Sequence, residues 1–285
     1  MFKTAIVTGG AAGIGLAIVK HLAHNEQNIA HFALLDINPD TADATLKSLE
    51  AEFPNLTFSF YLCDVMSWEN QAQSFKDIYA KQGRIDIVCA NAGIGETGSL
   101  FTTAGDEPVK PGLKTYDVCL TGAIYTVSLA AFYLSKNQPS PITGIKGSIV
   151  CTASNSGLYP LSLAPIYTTA KYGVVGLVRG FAGRLQHEKI QINGIAPCIV
   201  ETNIGARLQE LPGIVFTPIS TVTKAVGLLL DSPELNGKIL EISEDRITMA
   251  EPPPFVDEST KTNLEILGDL AKKIWSGSFE NGGDK

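Results

Sequence analysis

Short apolar runs alternate with longer amphipathic stretches along most of the chain. The runs are residues 4–7, 29–35, 57–63, 85–90, 147–152, 190–195 and 238–242, and most are nearly continuous in Val, Ile, Leu and Ala. Strands covered on both faces have this character, because neither side alternates with water. Between them, helical spacing of apolar residues predicts helices over 14–25, 39–53, 67–82, 112–135, 165–187 and 219–231. Strand and helix in strict alternation require right-handed crossovers. They predict an α/β chain with a doubly wound, mostly parallel, seven-stranded sheet and helices on both faces.

Two segments break the rhythm. Residues 95–111 are rich in Gly, Thr and Pro and predict a long loop. Residues 251–254 hold three prolines, a stiff spacer. Beyond it Leu264, Leu267, Leu270, Ile274 and Trp275 recur at helical spacing, the mark of a helix that forms an interface, a lid or a docked end. We therefore divide the chain into one domain over 1–250, substrate loops included, and a C-terminal extension with one helix over 251–285.

Composition narrows the function classes. The net charge of −7, without a Lys/Arg cluster, excludes nucleic acid as the expected partner. Five scattered cysteines form no metal-ligand spacing, so no metal site is expected, and their odd number suits reduced thiols. No leader-like apolar segment and no membrane span stands out, which predicts a cytoplasmic protein.

The candidate chemistry starts at the first strand. "TGGAAGIG", Thr8 to Gly15, follows that strand and opens a helix. Gly9 suits a tight turn, Gly13 lets backbone approach a pyrophosphate, and Gly15 lets helix and strand pack closely. With Ile14 they form the cofactor-binding turn of a Rossmann fold, where free helix N–H groups meet the phosphates. Asp36 ends the second strand in "LLDIN", about 20 residues on, where a carboxylate accepts from an adenosine ribose hydroxyl. A carboxylate there repels a 2′-phosphate, and neither the turn nor Ile37 offers a cation to offset it, so NAD is expected rather than NADP.

In the second half, Tyr167 and Lys171 stand four apart on one helix face. An ammonium beside a phenol stabilises the phenolate, so such a tyrosine can exchange a proton with an alcohol or ketone. Ser154, at a strand end, can hydrogen-bond the same oxygen.

Taken together, T8-G-G-A-A-G-I-G15, Asp36, C63-D-V65, N91-A-G93, Ser154, Y167-T-T-A-K171 and "NGIAPCIVET" at 193–202 resemble the short-chain dehydrogenase/reductase family in content and order, over residues 3–245. Ser154 and Tyr167 are 13 residues apart, the spacing of that family. The resemblance implies hydride transfer between a nicotinamide cofactor and a carbinol carbon. It implies Tyr167 as general acid/base, Lys171 as its partner and holder of the nicotinamide ribose, and Ser154 as the group that positions the reacting oxygen. It further implies that Asp64 and Val65 contact adenine. Asn91, Ala92 and Gly93 support the cofactor, Val200 and Thr202 hold its carboxamide end, and Pro197 also belongs to the cofactor-binding set. A homodimer or homotetramer through the helices at 112–135 and 165–187 is implied as well.

There are two departures. Cys119 stands where the family usually has an Asn, and a thiol is a poorer hydrogen-bond partner for a water chain. Cys198 stands where Gly usually follows the proline. The tail "SPELNGKILEIS" and Asp36 are similar to the branch that contains 15-hydroxyprostaglandin dehydrogenase. Leu158, Tyr159, Leu161, Leu163, Ile204, Leu208, Leu211, Ile214, Val215 and Phe216 offer apolar pocket walls, with 203–218 as a lid. The expected substrate is a secondary alcohol or ketone on a largely apolar small molecule, such as a lipid, polyketide, terpenoid or aromatic alcohol. The alternative is an NAD-binding sensor, or another non-redox protein, on the same scaffold.

Overall fold

The computed structural model describes residues 3–25, 28–100, 107–202 and 210–278. Its eight strands are β1 (Lys3–Thr8), β2 (Ile29–Asp36), β3 (Thr57–Leu62), β4 (Ile87–Ala90), β5 (Gly147–Thr152), β6 (Ile190–Pro197), β7 (Ile239–Ser243) and β8 (Arg246–Met249). They lie in one sheet in the order β3-β2-β1-β4-β5-β6-β7-β8. The first seven pair in parallel, as the near-continuous apolar runs predict. β8 is an addition to the expected seven strands. It folds back antiparallel on β7 through a two-residue turn in which Glu244 takes a positive φ of 53°.

The helices are α1 (Gly13–His24), α2 (Ala42–Glu52), α3 (Trp68–Gln82), the short α4 (Lys114–Tyr116), α5 (Gly122–Ser135), α6 (Pro165–His187), α7 (Ile219–Asp231) and α8 (Glu258–Trp275). A π-helical turn, Asp117–Thr121, joins α4 to α5, so the single helix expected at 112–135 is interrupted. Two apolar cores flank the sheet. On one face Phe75 and Ile78 of α3, Val127 and Leu134 of α5, and Val174 and Val178 of α6 pack with Ile149 and Ile192. On the other, Ile18 and Leu22 of α1, Leu49 of α2 and Val222 and Val226 of α7 pack with Val7 and Phe32. Each fully buried aliphatic or aromatic side chain contributes about 1.5–3 kcal/mol.

The stretch Lys114–Ser135 has the length and hydropathy of a membrane-spanning helix, but 61% of its most apolar window is buried inside the domain. Most of that hydrophobicity therefore serves the core. After β8 the proline spacer leads to α8, which starts at the N-cap Asp257, whose side chain accepts from the Thr260 N–H at 2.7 Å. Its Trp275 lies against Gly183, Arg184 and His187 near the far end of α6. Leu264, Leu267 and Ile274 remain more than half exposed.

Strand order reverses between β1 and β4. In an open parallel sheet this leaves a crevice above the carboxyl ends of those two strands, where ligands bind. Thr8 ends β1 and Ala90 ends β4, so the glycine turn and Asn91 face each other across it.

Candidate active site

The glycine turn has the backbone its sequence requires. Gly9 and Gly13 take positive φ values of 63° and 53°, which favour glycine. A Cβ on Gly15 would lie 2.0 Å from the Gly9 carbonyl oxygen, so only glycine allows this close return of the helix. Ile14 packs at the margin of the core beneath. Asp36 accepts from the Ala11 N–H and the Asn38 N–H, both at 3.1 Å, which fixes its carboxylate beside the turn.

Across the crevice, Thr8 ties β1 to β4. Its hydroxyl accepts from the Asn91 and Ala92 N–H groups at 3.0 and 3.1 Å. The Asn91 side chain donates to Thr8 O and accepts from Thr152 Oγ1, which joins the ends of β1, β4 and β5. Gly93 follows, with Lys171 Nζ 3.7 Å from where its Cβ would stand.

Tyr167 and Lys171 are brought together on the first turns of α6. Lys171 is buried and donates to the Thr152 carbonyl at 2.8 Å. Its Nζ lies 5.5 Å from the centre of the Tyr167 ring. Ser154, just beyond β5, is buried; its hydroxyl accepts from the Ser156 N–H at 3.1 Å and points toward Pro197 O at 3.5 Å. The three candidate side chains thus rise at the ends of β5 and α6 beside β6. Val200 pairs in an isolated bridge with Thr217, and Thr202 stands 3.7 Å from the Cβ position of Gly13. The turn and the segment after β6 therefore meet.

Asp64 lies two residues beyond the end of β3. Its Oδ1 accepts from the Met66 N–H at 2.9 Å, closing the local turn. Val65 is buried against Gly122, and its carbonyl accepts from the fully buried Gln71 side chain at 2.7 Å. Cys119 lies in the π-helical turn. Its thiol accepts from the Ile94 N–H at 3.4 Å and donates to Ile94 O at 3.3 Å, so it braces the strand extension after Gly93. Cys198 accepts from the Asn155 side chain at 3.1 Å. Of the expected pocket walls, Tyr159, Leu161, Leu163, Leu211 and Val215 are well exposed, while Ile204 and Leu208, and the start of the proposed lid at 203–209, lie outside the described residues. Tyr159 donates to Glu241 at 3.1 Å. Sequence reading gave no role of their own to Thr8, Thr115 or Glu96. Thr115 is fully buried and bonds Gly95 O and Thr97 N, and Glu96 bonds the N-terminus of α6.

A family model for short chain dehydrogenases matches residues 3–212. The chain belongs to the short-chain dehydrogenase/reductase family. It is 33% identical over 234 residues to the short-chain dehydrogenase/reductase prx7 of Penicillium rubens, with 79% of each chain covered. It is 31% identical over 250 residues to ascJ of Acremonium egyptiacum, covering 86% of this chain and 79% of the relative. The NAD(+) 15-hydroxyprostaglandin dehydrogenase of Bos taurus is 28% identical over 256 residues, covering 87% and 89%. Levodione reductase shares the fold at a TM-score of 0.71 and 23% identity, over 85% of this chain and 97% of that one. Short-chain dehydrogenase/reductases are oxidoreductases that bind a nicotinamide cofactor. The glycine cradle, closed to any Cβ at Gly15 and faced by the fixed Asp36 carboxylate, suits such a dinucleotide.

Proposed function

We propose that this short-chain dehydrogenase/reductase interconverts a secondary alcohol and a ketone on a largely apolar small molecule, with NAD as cofactor. The observation that carries the reading is the buried Lys171 ammonium held on Thr152 O and set 5.5 Å from the Tyr167 ring. A buried charge at that position is costly unless partnered. In that setting Tyr167 would exchange a proton with the substrate oxygen, taking the hydroxyl proton of an alcohol or returning one to a ketone. Ser154 positions the same oxygen by hydrogen bonding. When bound, the cofactor supplies hydride acceptance or donation at its nicotinamide ring.

Gly9, Gly13, Ile14 and Gly15 would cradle the pyrophosphate, and Asp36 the adenosine ribose. Val65, with Asp64 at the edge, would flank adenine. Asn91, Ala92, Gly93, Pro197, Val200 and Thr202 would line the nicotinamide half. NAD over NADP rests on Asp36 and on the 61% exposed Ile37 that follows it, which offers no cation for a 2′-phosphate. Exposed Leu161, Leu163, Leu211 and Val215 support an apolar substrate. The similarity to a prostaglandin dehydrogenase that uses NAD(+) supports both points.

We also propose a homodimer through α5 and α6. A groove of about 440 Å³ runs between them, lined by Ile124, Val127, Ser128, Ala131, Gly176, Leu177, Gly180 and Phe181. Nothing lies within 4 Å of a Cβ on Gly176 or Gly180, so another helix can approach closely.

The test uses phenylethanol, tetralol and an aliphatic secondary alcohol with NAD, and follows NADH absorbance. Turnover on at least one alcohol that Tyr167→Phe abolishes is expected. Tight NAD binding with no turnover on any of them favours the sensor reading.

A further inference from the structure

A helix begins with four backbone N–H groups that lack an intrahelical partner. In α6 each of the four positions is accounted for. Pro165 at the first helical position has no N–H, and the N–H of the N-cap Ala164 bonds back to Leu161 O at 3.0 Å. The remaining two, Ile166 and Tyr167, donate to a single side chain from another part of the chain. Glu96 Oε1 lies 3.1 Å from Ile166 N, and Glu96 Oε2 lies 2.6 Å from Tyr167 N. The carboxylate also faces the positive end of the helix dipole.

Glu96 arrives from a braced segment. The Cys119 thiol holds both backbone groups of Ile94. The buried Thr115 hydroxyl donates to Gly95 O at 2.9 Å and accepts from Thr97 N at 2.8 Å. Residues on either side of Glu96 are therefore pinned to the continuous helical stretch from α4 through the π turn, and Glu96 itself to the residue that carries the reacting hydroxyl.

We infer that Glu96 is a positioning residue for Tyr167: its carboxylate completes the first turn of α6 and so fixes where the phenol stands over the cleft. The inference rests on the reading of Tyr167 as the acid/base. Lys171, one turn further on and bound to Thr152 O, keeps its own anchor without Glu96. The dinucleotide cradle on α1 makes no bond to Glu96 among the described residues. Loss of Glu96 therefore acts on the proton-transfer geometry and leaves cofactor binding intact. Glu96→Gln keeps one acceptor oxygen and is intermediate.

The experiment compares the full chain with Glu96→Ala, Glu96→Gln and Tyr167→Phe, with tetralol and NAD as probes, alongside amide hydrogen exchange of the α6 N-terminus without substrate. For Glu96→Ala we expect kcat to fall about tenfold or more with KM for NAD within about twofold, and Glu96→Gln to recover part of the loss. Exchange at the Ile166 and Tyr167 amides is expected to accelerate in Glu96→Ala. Unchanged exchange there overturns the inference whatever the probe turnover. So does an unchanged kcat, a KM for NAD that rises as much as kcat falls, or a Gln variant no better than Ala. Turnover that persists in Tyr167→Phe removes the reading of Tyr167 itself. An inactive Tyr167→Phe beside a fully active Glu96→Ala removes only the role of Glu96.

Discussion

Lys171 Nζ sits 5.5 Å from the centre of the Tyr167 ring while donating at 2.8 Å to Thr152 O. The strand end, rather than the tyrosine, holds the lysine in place, so the two side chains can be separated by mutation. Lys171→Met keeps the length and removes the charge. Turnover should fall by about 10²–10⁴, the usual range for loss of acid–base function. Steady-state rates and NADH fluorescence titration check this, with weaker cofactor binding expected as well. Lys171→Met with wild-type turnover would contradict the proposal.

Asp36 has both carboxylate oxygens fixed by backbone N–H groups, from Ala11 and Asn38. Asp36→Ala should raise KM for NAD by about ten- to a hundredfold, as a lost charge-assisted hydrogen bond of about 1.5–3 kcal/mol implies, and relax the discrimination against NADP. Paired kinetics with the two cofactors measure both effects.

The two inner glycines of the turn should respond differently. In Gly15→Ala the new Cβ meets Gly9 O at 2.0 Å and Asn91 Nδ2 at 2.7 Å, so the turn must open. A stability loss of about 1–3 kcal/mol and loss of NAD binding are expected. Gly13→Ala meets nothing closer than 3.7 Å, and only its φ of 53° is unfavourable. It should cost about 1 kcal/mol. Thermal unfolding with and without NAD separates the two.

Burial and the nearby Lys81 charge push the His31 imidazole down to about 4, from an ordinary value of 6.5. Its Nε2 meets Ser59 Oγ at 3.0 Å, and its Nδ1 has no partner among the described residues. The unfolded chain takes up this proton near 6.5 and the folded chain only near 4. Between those values the unfolded state binds more protons. The stability tied to neutral His31 is thus fully present above about 6.5 and falls as pH drops, by up to about 3 kcal/mol. Urea unfolding at several pH values should show this slope, and His31→Gln should flatten it. An identical slope in the variant would assign the pH dependence elsewhere.

Most of the parallel strands, the edge strand β3 apart, were legible because a strand with two dry faces leaves an almost unbroken apolar run. β8 was not. Three of its four residues are exposed, and its turn uses Glu244 at positive φ rather than the Gly or Asn that signals a hairpin. The interruption at Asp117–Thr121 was hidden as well. Val118, Cys119 and Leu120 are all buried, so apolar periodicity does not register a change of helical phase. At the site, Gly9, Gly15, Asp36, Tyr167 and Lys171 carried local signatures of turn, strand end or helix spacing. Glu96 carried none, because its partners lie 70 and 71 residues away and are backbone N–H groups.

The π-helical turn before α5 sets a strict register. A residue in a regular helix advances by about 100°. Deleting a single position from the regular turns that flank 117–121 would swing Thr115 around the axis relative to the buried face of α5, away from Gly95 and Thr97. Chain length here, together with the Cys119 thiol inside the wide turn, then decides whether the neighbouring loop stays clamped.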